Sequence, residues 1–365
     1  MEFIDLKTQK ERIREELDRR IETVIDHGRF IMGPEVGELE QALCDWVGVK
    51  HSIGVSSGTD SLLIALMAYG VGPGDEVITV PYTWISTAEV VALLGAKTVF
   101  IDVEEDTFNM DVSRLEAAIT ENTKAIMPVG IYGQTANMKE INEIAARAGN
   151  IPVIEDAAQS FGATHHGVKS CALSTVGSTS FFPSKPLGGY GDGGALFTDD
   201  DELAERMRWI RVHGQEKKHY HPVVGLNGRL DTLQAAIILP KLALFDEEVS
   251  LRQEVARRYD ERFAGMEVVT PRVAENNTSV YAQYTILTDR REEVQKALRD
   301  EDIPSVSYYS VPLHLQPVFE NLGYTKGDFP VAESISEKCL SLPMSPYVAE
   351  SDQDRIASAL GAILG

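Results

Sequence analysis

The chain has 365 residues, 43% of them apolar and 25% charged, which is ordinary for a globular protein with one large domain and a smaller one. The formal net charge is −22 and the sequence pI is near 4.8, which argues against a nucleic-acid binder, because that function needs a basic face. The three cysteines, Cys44, Cys171 and Cys339, lie far apart and indicate neither a disulfide framework nor a zinc site.

The N-terminal region predicts an amphipathic helix over residues 7–28. Ile13, Leu17, Ile21 and Ile25 recur every four residues among charged side chains, and Gly28 suits the end of a helix. The first residues lack the basic start and apolar run of a signal peptide. No uncharged apolar run approaches the ~20 residues of a membrane-spanning helix. We therefore expect a cytoplasmic protein in a reducing compartment, with no membrane partner.

From residue 51 the pattern alternates between strands and helices. Strands are predicted over 51–56, 76–80, 97–103, 124–129 and 152–156, and helices over 59–69, 86–94, 111–119 and 138–148. Repeated strand–helix units predict an α/β fold with a large, mostly parallel sheet covered by helices on both faces. Ligands of such folds bind at the carboxyl ends of the strands.

The second half of the chain predicts a change of architecture. Strands over 178–182 and 195–198 and a helix over 201–211 come first, followed by one long helix over 233–262, or two helices that join near Pro240. A strand over 279–287 and helices over 292–299 and from 351 follow. We predict a large domain over 1–250, with the helix 7–28 able to pack on the small domain, and a small C-terminal α/β domain over 251–365.

The stretch from Ser178 to Gly194 presents a single lysine, Lys185, in a run that is uncharged up to Asp192. Prolines on both sides of Ser184-Lys185 restrict the backbone, and the glycines that follow allow tight turns. A lysine amine so placed can attack a carbonyl if burial or a neighbouring charge lowers its pKa. The alternative is a surface lysine in a glycine-rich loop.

Further polar residues are predicted at the same edge of the sheet. The junction Ser57-Gly58-Thr59-Asp60 joins a strand to a helix, whose free N–H groups suit a phosphate. Asp156 ends a buried strand, where a carboxylate needs a cation or proton donor. Gln159 and Ser180 follow nearby, and Trp84 comes shortly after a strand. Each residue also has a purely structural explanation: a helix cap, an ion pair or a core aromatic.

Together these residues are what a pyridoxal 5'-phosphate (PLP) site needs. A lysine holds the cofactor's aldehyde, a carboxylate keeps its pyridine nitrogen protonated, and a helix N-terminus with hydroxyls holds its phosphate. An aromatic ring such as that of Trp84 would cover the pyridine ring.

The motifs also resemble a known family, the DegT/DnrJ/EryC1/StrS nucleotide-sugar aminotransferases. The resemblance covers nearly the whole chain. The sequence blocks that carry it are, in order, Gly33-Pro-Glu-Val, Ser57-Gly-Thr-Asp, Gly74-Asp-Glu-Val-Ile, Glu155-Asp-Ala-Ala-Gln-Ser, Ser180-Phe-Phe-Pro-Ser-Lys, Gly191-Asp-Gly-Gly, Asn227-Gly-Arg and Ala235-Ala. It implies a fold type I PLP-dependent transferase, similar in architecture to aspartate aminotransferase.

The resemblance also implies roles for single residues. Lys185 would link to the cofactor and later move a proton, Asp156 would hold the pyridine nitrogen, and Gln159 the ring hydroxyl. Trp84 would stack on the ring, while Gly58, Thr59 and Ser180 would bind the phosphate. Asn227 would reach the phosphate held by a neighbouring subunit, which implies a homodimer with shared sites. The substrate-facing positions would be Arg229, Tyr308, Tyr309 and His314, and this chain has Tyr308 where some members have histidine.

Within the family, the blocks around Asp156, Cys171 and Lys185 look like those of enzymes that act on UDP-2-acetamido-2-deoxy-3-oxo-glucuronate. Such enzymes make a 3-amino sugar of bacterial O-antigens, part of lipopolysaccharide, with L-glutamate expected as amino donor. The alternative is an aminotransferase for another UDP- or dTDP-linked sugar with a 3- or 4-keto group. Some family members are dehydratases with histidine in place of the lysine, so Lys185 favours transamination.

Three other patterns suggest different functions. Gly54-Val-Ser-Ser-Gly58 fits the elbow of a serine hydrolase with Ser56 as nucleophile, which would need a histidine and an acid nearby. Gly189-Tyr-Gly-Asp-Gly-Gly194 fits a dinucleotide motif but precedes a strand instead of a helix, which excludes that function. His213, His219 and His221 have no standard metal-binding spacing, so we expect no metal.

Overall fold

The computed structural model describes all 365 residues. Its helices are α1 (Leu6–Arg12), α2 (Arg14–His27), α3 (Pro34–Val47), α4 (Gly58–Ala68), α5 (Ser86–Leu93), α6 (Leu115–Ala118), α7 (Met138–Arg147), α8 (Asp201–Arg211), α9 (Thr232–Phe263), α10 (Arg291–Asp300), α11 (Pro330–Lys338) and α12 (Glu350–Leu364). Its strands are β1 (His51–Val55), β2 (Glu76–Thr79), β3 (Lys97–Phe100), β4 (Thr123–Ile126), β5 (Ile154–Asp156), β6 (Thr164–His165), β7 (Val168–Lys169), β8 (Val176–Ser180), β9 (Gly194–Thr198), β10 (Tyr284–Leu287) and β11 (Cys339–Leu342). No helix is long and apolar enough to cross a membrane.

Seven strands form the central sheet in the order β3-β2-β4-β5-β8-β9-β1. Strands β3, β2 and β4 pair in parallel, and β5 pairs in parallel with β8. Parallel bridges from Ile126 to Val153 and from Val129 to Asp156 join the two groups. Strand β9 runs antiparallel to both neighbours. The mostly parallel α/β sheet predicted from the sequence is confirmed, and its parallel strands end together at one edge.

The segment with Lys185 is the connection between two paired strands. In the β8–β9 pair, Ser180 lies opposite Gly194. The intervening residues leave the sheet at its carboxyl edge and return beside the same strand. The Phe181 N–H donates to the Gly193 carbonyl at 2.8 Å and closes the base of this loop. The sheet therefore fixes both ends of the loop that presents Lys185.

The N-terminal region differs from the prediction. Two helices, α1 and α2, replace the single helix expected over 7–28, and the break falls at Ile13, which has a ψ of 7° outside helical geometry. Ile13 and Leu17 are buried against Ile237 of α9, so packing on the long helix outweighs continuous helix formation. Helix α3 was not predicted, although Pro34 at its first position and Gly48 after its last residue are usual helix boundaries.

Helix α9 is continuous from Thr232 to Phe263, which settles the open question of one helix or two. Pro240 lies inside it and removes one backbone hydrogen bond without ending the helix. The predicted domain boundary after residue 250 falls within this helix. From Val255 onward, seventeen buried apolar residues form a separate cluster that extends to Leu364. A separate C-terminal domain would need such a cluster, and the two-domain division stays a prediction.

One C-terminal segment packs on the central sheet instead of the C-terminal cluster. Leu313, Phe319 and Phe329 belong to the large apolar cluster that includes Ile78 and Phe100 of strands β2 and β3. Asp102 accepts hydrogen bonds at 3.0 Å from the Val331 and Ala332 N–H groups at the start of α11. This packing brings the residues that precede it, including Tyr308 and Tyr309, to the carboxyl edge of the sheet.

Candidate active site

A cavity of about 340 Å³ opens at the carboxyl edge of the sheet. It collects residues from five distant parts of the chain, which include Gly58, Thr59, Trp84, Asp156, Gln159, Ser180, Lys185, Tyr308 and Tyr309. These are nine of the residues that the sequence predicts for a cofactor or substrate site. The topology brings them together because each follows the carboxyl end of a strand or enters from the C-terminal segment.

The N-terminus of α4 forms one wall of the cavity. Ser57 caps the helix, and its Oγ accepts the Asp60 N–H at 3.0 Å. Gly58 begins the helix so close to β8 that a Cβ there would lie 2.6 Å from the Ser180 Cβ. Thr59 Oγ1 lies 2.7 Å from Ser86 Oγ, so three hydroxyl groups surround the free N–H groups of the helix. This wall is an anion site suited to a phosphate.

Asp156 ends strand β5 and is 6% exposed. Its Oδ2 accepts from Thr87 Oγ1 at 3.0 Å, and its Oδ1 accepts from the Ala158 N–H at 3.2 Å. Burial raises the pKa of the Asp156 carboxyl, while these donors and the Lys185 charge counteract the rise. A carboxylate in this environment gains stability from a proton-bearing nitrogen beside it.

Gln159 is held in one orientation by both ends of its amide. Its Oε1 accepts the Tyr132 N–H at 2.9 Å, and its Nε2 donates to the Tyr309 hydroxyl at 2.8 Å. Tyr82 and Tyr132 continue this network through a 2.7 Å contact between their hydroxyl groups. The second Nε2 hydrogen of Gln159 remains for a ligand in the cavity.

Lys185 follows a turn in which its own N–H donates to the Phe182 carbonyl at 2.9 Å. The side chain lines the cavity that also contains Asp156. Burial lowers the pKa of the Lys185 amine, and the charge of Asp156 partly offsets this shift. The alternative of an ordinary surface lysine does not fit this position, because the amine lies within the cavity. A lowered pKa increases the neutral, nucleophilic fraction of the amine.

Two aromatic side chains line the cavity and remain open to solvent. Trp84 is 62% exposed and Phe182 is 51% exposed. The exposure of Trp84 excludes the alternative of a core aromatic. A flat ligand in the cavity would cover the indole and remove apolar surface from water.

The residues present fit PLP. The helix N-terminus and the hydroxyl groups match a phosphate, Asp156 a protonated ring nitrogen, the free Gln159 N–H a ring oxygen, and Lys185 an aldehyde. The close approach of Gly58 to Ser180 leaves the α4 N-terminus and the end of β8 with no side chain between them. No group of three or more potential metal ligands exists in the chain.

A second cavity, of about 560 Å³, adjoins the first, and both are lined by Ser57 and Asp192. Asn227 and Arg229 line this second cavity and do not line the one that contains Lys185. The Nε atom of Arg229 is buried without a hydrogen-bond partner. Because an atom buried in this way does not face the cavity, an anion there would meet the terminal nitrogens of the guanidinium instead.

His314 occupies a different position from the one predicted. It is 2% exposed, lines neither cavity, and its Nε2 lies 3.0 Å from Glu333 Oε1. The ring also packs against Phe329 at a centroid distance of 4.7 Å. His314 therefore belongs to the packing of α11, and we do not retain it as a substrate contact. A single histidine near two tyrosines carries no sequence signal that distinguishes these two roles.

The remaining patterns do not form sites. Ser56 Oγ donates to Asp60, and no histidine lines the cavity that contains Ser56, so a catalytic triad is absent. His213, His219 and His221 are exposed. The only hydrogen bond among them joins the His221 Nδ1 atom to the His213 backbone carbonyl.

Sequence reasoning missed the hydroxyl groups of α5 and the turn before it. Thr83 and Ser86 line the cavity, and Thr87 bonds to Asp156. Thr87 lies in the first turn of α5, three residues after Trp84 in the turn that precedes the helix. The hydroxyl-rich run Thr83-Trp84-Ile85-Ser86-Thr87 was a usable signal.

Comparison with known proteins agrees with this geometry. Over 360 residues the chain is 53% identical to the UDP-2-acetamido-2-deoxy-3-oxo-D-glucuronate aminotransferase of Pseudomonas aeruginosa, covering 99% of each protein. The crystal structure of a DegT DnrJ EryC1 StrS aminotransferase from Brucella abortus superposes with a TM-score of 0.97 at 44% identity and covers 100% of both chains. Bacillus subtilis NtdA, solved with bound PMP, superposes with a TM-score of 0.90 at 30% identity, over 99% of this chain and 82% of NtdA.

The family-level match extends over nearly the whole chain, from residue 11 to residue 361. It includes every element that lines the two cavities. The protein therefore belongs to the DegT/DnrJ/EryC1/StrS aminotransferase family.

Proposed function

We propose that the protein is a PLP-dependent aminotransferase that moves an amino group from L-glutamate to C3 of UDP-2-acetamido-2-deoxy-3-oxo-glucuronate. The observation that carries the proposal is the shared cavity of Lys185, Asp156 and the α4 N-terminus. The substrate is supported by the 53% identity to a Pseudomonas aeruginosa enzyme named for it.

The residues of the first cavity would hold the cofactor. Gly58, Thr59 and Ser180 would bind its phosphate, Asp156 its ring nitrogen and Gln159 its ring hydroxyl, while Trp84 would stack on the ring. When bound, PLP supplies an aldehyde that joins to amines and a ring that accepts the electron pair left when a carbon loses its proton.

Lys185 would act twice at its Nζ atom. The neutral amine, favoured by the lowered pKa, would hold the cofactor's aldehyde until the amino group of the donor takes its place. The freed amine would then be the base that moves a proton between the two reacting carbons, for donor and acceptor in turn. Asp156 would keep the ring nitrogen protonated by pairing its carboxylate with that proton.

The second cavity would hold the sugar acid. Arg229 lines this cavity, and the terminal nitrogens of its guanidinium would bind a substrate carboxylate through charge-assisted hydrogen bonds. Tyr308, half-buried at the first cavity, would contact the sugar from the C-terminal side.

The active unit is proposed to be a homodimer with shared sites. Asn227 lines the second cavity and not the one with Lys185, as expected for a residue that serves a neighbouring subunit. Exposed apolar side chains near both cavities, Phe30, Ile31, Met32 and Phe182, would be covered by the second copy. Sedimentation at several concentrations tests the assembly, and a monomer at the assay concentration would contradict it.

Turnover of defined ketosugars tests the substrate. The purified protein with PLP and glutamate is given UDP-2-acetamido-2-deoxy-3-oxo-glucuronate, and mass spectrometry measures the amino sugar. Lys185→Ala should abolish transfer, while Lys124→Ala, at an exposed position of β4, should not. A panel of UDP- and dTDP-linked 3- and 4-ketosugars tests the alternative. Faster turnover of any other sugar would replace the proposed substrate.

Mixed dimers test the shared site. Subunits with Lys185→Ala are combined with subunits that carry Asn227→Ala. If Asn227 serves the neighbouring subunit, each mixed dimer keeps one complete site and about half of the wild-type activity. If Asn227 serves its own subunit, no complete site remains and activity is lost.

The reaction is further proposed to take place in the cytoplasm and to supply a 3-amino sugar for O-antigen, a part of lipopolysaccharide. Three buried, unpaired cysteines suit a reducing compartment. Fractionation of cells and analysis of O-antigen in a strain without the gene would test both statements.

A further inference from the structure

The long helix α9 places a buried lysine against the loop that presents Lys185. Lys241 is 1% exposed, and its Nζ donates to the Gly188 carbonyl at 2.7 Å. The same Nζ lies 4.1 Å from the ring centroid of Tyr190. A buried ammonium group is costly unless its donors are satisfied, and here the Gly188 carbonyl and the face of the Tyr190 ring are its partners.

Backbone hydrogen bonds of the loop also fix it. The Gly189 N–H donates to the Phe181 carbonyl at 2.7 Å, and the Tyr190 N–H donates to Gln234 Oε1 at 2.9 Å. Gln234, like Lys241, belongs to α9, two helical turns earlier. Helix α9 therefore contacts the loop on both sides of Gly189, through Lys241 at Gly188 and through Gln234 at Tyr190.

Gly188 and Gly189 have no side chains to pack, whereas Leu187 before them is buried in the core. A Cβ at Gly188 would lie 2.5 Å from the Pro183 carbonyl oxygen, and a Cβ at Gly189 would lie 2.7 Å from Gln234 Oε1. At these glycines the chain passes close to α9 and to itself, so polar contacts with α9 add to the apolar packing of Leu187.

We infer that Lys241 is a positioning residue for Lys185: through the Gly188 carbonyl and the Tyr190 ring it holds the loop that aims the Lys185 amine into the cavity. This inference rests on the role of Lys185 in the proposed function. It assigns a function at the active site to Lys241, which lines neither cavity.

Burial lowers the pKa of Lys241 to about 8, and the charge of Glu248 on the same helix partly offsets this shift. Glu248 is itself fixed by Gln9, whose Nε2 donates to its Oε2 at 2.8 Å, and by the Tyr347 hydroxyl. The loop contact of Lys241 is thereby linked to α1 and to the C-terminal region.

Two substitutions with a matched control test the inference. Lys241→Met keeps most of the length of the side chain and leaves an apolar group beside Tyr190, but it cannot donate to Gly188. Lys241→Arg retains a donor. Lys169→Met is the control, since the Lys169 Nζ likewise donates to a carbonyl, that of Trp46 at 2.6 Å, and lies 3.6 Å from the Trp46 ring. Lys169 lies on β7 and lines neither cavity.

Hydrogen exchange of the cofactor-free protein is the first measurement. In Lys241→Met the amides of Lys185, Gly189 and Tyr190 should exchange about tenfold faster, because the loop loses one charge-assisted hydrogen bond. Lys241→Arg should restore part of the protection, and Lys169→Met should leave these amides unchanged. This readout involves no substrate, so it can fail without affecting the proposed reaction.

The second measurement uses the PLP-loaded protein. Misplacement of Lys185 should shift the pH at which the visible absorption of the linked cofactor changes and should lower kcat about tenfold for both donor and acceptor, with KM unchanged. Unchanged exchange and an unchanged pH profile in Lys241→Met would overturn the inference. Equal effects in Lys169→Met would show a general loss of stability and would overturn it as well.

Discussion

Thr87 donates a hydrogen bond of 3.0 Å to the buried carboxylate of Asp156 across the carboxyl edge of the sheet. The hydroxyl fixes one carboxylate oxygen and leaves the rest of the group for a ligand. Thr87→Val should therefore weaken PLP binding about tenfold, in line with ~1.5 kcal/mol for a hydrogen bond to a charged group. Titration of the cofactor-free protein with PLP measures this.

Thr79→Val is the control for Thr87. Its hydroxyl is also buried but donates to the Met127 carbonyl at 2.8 Å, away from the cavity. An equal loss of PLP affinity in both variants would contradict a specific role of Thr87.

Gly58 should not tolerate even one added methyl group. Gly58→Ala would place a Cβ 2.6 Å from the Ser180 Cβ and separate the two phosphate-binding elements. We expect a loss of PLP affinity of at least tenfold, about 1.4 kcal/mol. Gly37→Ala, inside helix α3 with open space around it, should instead stabilise the protein by about 0.5–1 kcal/mol. Equal PLP affinity for Gly58→Ala and wild type would refute the packing argument.

Glu155 should make stability depend on pH. It is 1% exposed, and burial raises its pKa to about 7. Hydrogen bonds from the Cys171 N–H and Ser170 Oγ act in the opposite direction and lower the pKa, but by less. Between about pH 4.5 and 7 the folded state keeps the proton and the unfolded state loses it. The free energy of unfolding should thus fall by up to about 3 kcal/mol as the pH rises through this range.

Glu155→Gln removes this titration, while Glu121→Gln, at an exposed position, retains it. Urea unfolding of the cofactor-free variants at several pH values measures the effect. If the free energy of unfolding changes with pH by the same amount in wild type and in Glu155→Gln, the pH dependence belongs to other groups.

Trp84 and Trp46 should respond differently to truncation. Trp84 is 62% exposed in the open cavity, so Trp84→Ala should leave the melting temperature of the cofactor-free protein nearly unchanged while weakening PLP binding. Trp46 packs against Phe161 and Phe245 at centroid distances of 5.1 and 5.3 Å, so Trp46→Ala should cost about 3 kcal/mol of stability. A large stability loss in Trp84→Ala would contradict its assignment as a ligand-facing residue.

The sequence predicted the parallel sheet and much of the site because both follow from local pattern. Periodicity locates strands, and parallel strands end at one edge of a sheet, so the amino-acid pattern alone places Asp156 and Lys185 together. Helix α3 could also have been recognised from Pro34 and Gly48 at its two ends.

Long-range contacts were beyond such reasoning. The break at Ile13 arises from packing against a helix more than 200 residues away. The bond from Thr87 to Asp156 spans 69 residues, and the partner of His314 depends on how α11 docks on the sheet. None of these contacts produces a periodic pattern in the sequence.

The antiparallel strand β9 has a consequence for the synthesis of this protein. Strand β1 forms its ladder with β9 alone, so residues 51–55 must wait until residues 194–198 have left the ribosome. Until then the growing chain carries an apolar strand without a partner, and chaperones are expected to shield it. A truncated product that ends before Gly194 should therefore aggregate, even though it contains Lys185 and both prolines beside it.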